Sequence, residues 1–79
     1  MPGHILRAAR AATVQSLDAV SLATLVSVST IKRAEAASSA VITAANAERL
    51  ISFYRSRGVE IFNEARGSYG LRTRPTSVG

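Results

Sequence analysis

The chain has 79 residues, a net charge of +5 and an isoelectric point near 11.2, so it holds one domain at most, and a domain this short buries only roughly 60% of the surface its unfolded form exposes. Hydrophobic residues make up 47% of it, yet 14 of them are alanine, and Leu, Ile, Val and Phe together number 20. With no cysteine and no tryptophan, disulfide scaffolds and thiolate metal sites are excluded, and the chain is expected not to be a stable monomer but to rely on a partner for burial.

Pro2 and Gly3 mark a non-helical start. From His4 to Arg66 there is no proline and a single glycine, Gly58, while Ala, Leu, Arg and Glu supply much of the stretch. The expected fold is therefore all-α: one long apolar helix, then a long amphipathic helix, then an irregular tail. The first segment, 1–33, carries Leu17, Val20, Leu22, Leu25, Val26, Val28 and Ile31. At about 100° per residue these fall all around a continuous helix, the mark of one buried on every side. Residues 11–31, bracketed by Arg7 and Arg10 before and Lys32 and Arg33 after, thus form a candidate single membrane anchor, since about 20 residues cross a bilayer core. Asp18 and the many Ser and Thr residues count against it, and a protein-buried helix is the competing reading. Ala19, Ala23 and Ser27 lie four apart and suit close helix packing.

The second segment, 34–66, reads as a docking helix. Ala40, Ala44, Ala47, Ile51, Tyr54, Gly58, Ile61 and Phe62 share one face, with Glu48, Arg49, Arg55, Glu60 and Arg66 on the rest. Gly58 either ends a helix after Arg55 and Arg57 or lets a neighbour approach a continuous one. The segment 67–79, with three glycines and Pro75, is expected to be an extended or irregular basic tail.

Catalytic chemistry finds no purchase here. His4 is the only histidine and Asp18 the only aspartate, about 21 Å apart on one helix, which closes off a Ser-His-Asp arrangement. No phosphate-binding loop, CxxC or HExxH occurs. The chain is therefore expected not to be an enzyme, with no cofactor and no metal site.

In overall plan, a basic chain with one apolar and one amphipathic helix, the sequence resembles small accessory subunits of mitochondrial inner-membrane complexes, of the respiratory-chain or ATP synthase type. The opening "MPGHILRAARAATVQS", with Arg7, Arg10 and no acid before Asp18, is similar to a targeting segment retained in the mature chain. The function this implies is structural, at the inner membrane, with protein subunits and lipid as partners. Arg49, Arg55, Arg57 and Arg66 are interleaved with Glu48, Glu60 and Glu64, which argues against nucleic acid as a partner. The alternatives are an RNA-contacting subunit of an organellar ribosome and a self-assembling helical coat or filament protein.

Overall fold

A computed structural model describes residues 2–36, 42–63 and 69–73. Three hydroxyl residues start helices in it. Ser16 accepts from the N–H of Ala19 (3.0 Å), Ser27 from that of Thr30 (3.2 Å) and Thr43 from that of Asn46 (3.2 Å), each satisfying an amide that the first helical turn leaves unpaired. The helices are α1 (Gly3–Ala12), α2 (Leu17–Thr24), α3 (Val28–Ala36) and α4 (Ala44–Ser56). Two strands follow, β1 (Val59–Asn63) and β2 (Tyr69–Thr73), paired antiparallel with Ile61 opposite Leu71.

The helix ends are as informative as the starts. After α1, Val14 takes φ 55°; its N–H donates to Ala11 O and that of Gln15 to Arg10 O, the paired bonds of a Schellman close. After α2, Leu25 takes φ 62° and its N–H donates to Ser21 O, the single-bond version of the same stop. Glycine is the usual occupant of such positions, and a residue with a Cβ costs about 1–2 kcal/mol there. Both side chains point to solvent: Val14 is 89% and Leu25 81% exposed. Gly58, at φ 89°, follows the end of α4, so of its two sequence readings the helix terminator holds.

The expected pair of long helices does not fit this architecture. No helix among the described residues is long and apolar enough to cross a membrane. The stretch 11–31 contains the end of α1, all of α2 and the start of α3, broken at 13–16 and 25–27. The fold is mixed rather than all-α, because residues expected to continue the docking helix form β1 and part of the expected tail forms β2. The reason lies in the alternation along Val59–Asn63, where Val59 and Ile61 are buried and Glu60 and Phe62 half-buried: a period of two, not 3.6.

One core unites these elements. Leu6 of α1, Val20 of α2, Val26 of the turn, Ile31 of α3, and Leu50 and Tyr54 of α4 are its most deeply buried members, closed by Val59 and Ile61 of β1. α1 packs on α3 and on both strands, α2 on α3 and α4, and α4 on β1. Burying each large aliphatic here contributes roughly 1.5–3 kcal/mol.

Candidate functional site

The pair α2–α3 is the part of the fold whose outer surface its own packing does not explain. Two helices of eight and nine residues are joined by the three-residue turn Leu25–Ser27, the arrangement of a helix-turn-helix. On α3, Ile31 and Ala34 face inward and are fully buried. Ser29, Lys32, Arg33 and Ala36 are exposed, and their spacing of three, four and seven puts them on a single stripe along the helix. Short side chains at both ends of the stripe let a broad surface approach, and two long cations stand between them.

α3 is held in place by an ion pair unlike the others in the fold. Arg10 Nε donates to Glu35 Oε2 at 2.8 Å and Arg10 Nη2 to Glu35 Oε1 at 2.9 Å, a bidentate fork, while Nη1 donates to Gln15 O at 3.3 Å. One guanidinium thus ties α1, the turn before α2, and the end of α3. The pair is largely withdrawn from water, with side-chain exposures of 23% for Arg10 and 8% for Glu35, and the bond to Glu35 raises the pKa of Arg10 further. The second ion pair, Arg72 with Glu60 at 2.9 Å, lies across the hairpin surface and contributes about 0–1 kcal/mol. Beside the Arg10–Glu35 pair lies a depression of about 240 Å³ lined by Arg7, Leu17, Lys32 and Ala36. It carries two further cations beside the first residue of α2.

Tyr54 sits beneath this pair. Its ring is fully buried, and its hydroxyl has no hydrogen-bond partner among the described residues. Burial, and next the negative charge of Glu35, push the phenol up to about 12, against the opposing pull of Arg10. An acid whose folded pKa is raised loses stability as the unfolded chain, with its phenol near pH 10, begins to ionise first. Stability from this residue is therefore constant below pH 10 and falls between pH 10 and 12. Tyr54→Phe is expected to flatten that decline by on the order of 2 kcal/mol at pH 12, and to leave stability at pH 7 equal or higher because an unsatisfied hydroxyl is removed. Urea denaturation across that pH range is the measurement; an unchanged alkaline slope would count against the assignment.

The residues singled out from the sequence are divided by the fold. Of the expected anchor, Val20, Val26 and Ile31 are core, Leu17 and Val28 are half-buried, and Leu22 and Leu25 are each 81% exposed. Of the expected docking face, Tyr54 and Ile61 are buried, Ala47, Ile51, Gly58 and Phe62 are half-buried, and Ala44 is exposed; Ala40 lies outside the described residues. The expected helix face is thus split between α4 and β1 and mostly turned inward. The stripe on α3 and the Arg10–Glu35 fork were not legible as a site. Ser16 and Ser27, both N-cap residues, were the signals that could have shown where the two short helices begin.

No protein-family model, no curated protein and no solved structure matches the chain. Among the described residues, no group of three His, Asp or Glu side chains that could hold a metal comes together.

Proposed function

We propose that this chain is a DNA-binding domain that seats α3 in the major groove of duplex DNA. The observation that carries the reading is the α2–turn–α3 pair, whose second helix presents Ser29, Lys32 and Arg33 outward on one stripe. A major groove about 12 Å wide admits such a helix, and Arg and Lys there donate to guanine O6 and N7. The depression bearing Arg7 and Lys32 beside the start of α2 suits a backbone phosphate, which fixes register without reading sequence. The net charge of +5 supports the same partner.

The accessory-subunit reading and its inner-membrane location were motivated by one apolar helix across 11–31. That stretch is three segments with Val20, Val26 and Ile31 turned into the domain's own core, so the motive is gone. The argument against nucleic acid drew on the mixed charges of the second half of the chain. The relevant cations stand on α3 instead. No catalytic role is proposed.

The test is fluorescence anisotropy of the full chain with duplex oligonucleotides, combined with selection from a random duplex pool. Binding to unselected duplex is expected at a Kd of about 1–100 µM and to weaken steeply with added salt. Selection is expected to enrich a short motif that binds at least roughly a thousandfold tighter than the unselected pool. No enrichment, or equal affinity for single-stranded RNA of the same length, would overturn the proposal.

A further inference from the structure

On the far side of α2 from its contact with α3, the fold leaves an apolar surface uncovered. A groove of about 550 Å³ runs between the end of α2 and α4, lined by Ala23, Leu25, Glu48, Arg49, Ser52 and Phe53. Beside it project Leu22 and Leu25, each 81% exposed. Leu25 is the more telling of the two. It occupies a left-handed turn position where glycine would relieve strain, and it spends that position on a leucine held out in water. Adjacent exposed apolar side chains of this kind mark a contact surface.

We infer that this groove is the self-association surface of the chain, closed by the same groove of a second copy about a two-fold axis. Two properties select that occupant. The surface is at once knob and hole: Leu22 and Leu25 project beside a concavity floored by Ala23 and Phe53, which is the self-complementarity an isologous contact requires. The charges complement themselves as well. Glu48 and Arg49 are neighbours on α4, both exposed and without a salt bridge among the described residues, and a two-fold axis between the α4 helices sets each against its opposite in the other copy. Two copies of a chain carrying +5 repel through their basic faces, and this face, with one acid and one base, carries no net charge. Association here does not depend on the DNA reading and can be measured with no DNA present.

Sedimentation equilibrium of the full chain, from about 1 µM to 1 mM, tests it. A reversible monomer–dimer equilibrium is expected in that range. Glu48→Arg and Arg49→Glu, each alone, are expected to weaken the dimer roughly tenfold, and the double reversal E48R/R49E to restore it, because an isologous pair is regenerated when both partners change sign. Leu25→Gly is expected to weaken the dimer roughly tenfold while its thermal midpoint as a monomer holds or rises. A wild-type chain that stays monomeric at about 1 mM sinks the inference. So does a double reversal no better than the single ones, or a Leu25→Gly dimer as strong as wild type.

Discussion

Glu35→Ala is expected to destabilise the domain by roughly 3 kcal/mol, because breaking a withdrawn ion pair leaves its partner unpaired where water reaches it poorly. Glu35 is 8% and Arg10 23% exposed, so the remaining guanidinium recovers part of its hydration, which places the effect at the lower end for a buried pair. The bond from Arg10 to Gln15 O survives the substitution; both bonds to Glu35 do not. Arg10→Ala is expected to cost more, since it strands the better-buried carboxylate. A domain this size rarely has more than about 3–5 kcal/mol to lose, so either variant should be largely unfolded near 37 °C. Replacing both residues with a close-packed apolar pair should be far milder than either single change, because no charge is then stranded. Urea denaturation with a common slope m separates these cases. A Glu35→Ala cost below about 0.5 kcal/mol, the range of surface substitutions, would show that the fork does not hold α3 in place.

The second large effect concerns recognition rather than stability. Arg33 is exposed on α3, and no salt bridge involves it among the described residues, so Arg33→Ala should leave the denaturation midpoint of the free domain where it was. Against the selected duplex it should lose roughly 1–3 kcal/mol, the value of one good bidentate contact to a base, and tolerate any base at one position of the site. Lys32→Ala provides the contrast, because Lys32 lines the depression beside the start of α2. Its loss should weaken all duplexes alike and reduce the salt slope by about one. Anisotropy against the selected site and its single-base variants, at several salt concentrations, measures both. Wild-type affinity and wild-type base preference in Arg33→Ala would remove the stripe on α3 from the reading surface, whatever else binds DNA in this chain.

Read alone, the sequence determined that residues 4–56 would be mostly helical, because propensity is a local property and neither proline nor interior glycine interrupts the stretch. It also showed that no catalytic set could be assembled from one histidine and one aspartate. It did not determine the number of helices. The periodicity argument assumed one continuous phase, and each left-handed residue resets that phase. Val20, Val26 and Ile31 seem to spread around a single helix, yet all three point into one core because breaks at Val14 and Leu25 re-aim the segments between them. Neither valine nor leucine favours that conformation, so nothing local announces the break; the packing of α1, α2 and α4 against α3 imposes it. Strand β1 was hidden for a related reason. Its two-residue alternation spans only Val59–Asn63 and becomes structure once Tyr69–Thr73 lies alongside with Ile61 against Leu71, a pairing across a gap that composition cannot foresee. The Arg10–Glu35 fork joins residues 25 positions apart, and only the tertiary arrangement brings such distant charges within bonding distance.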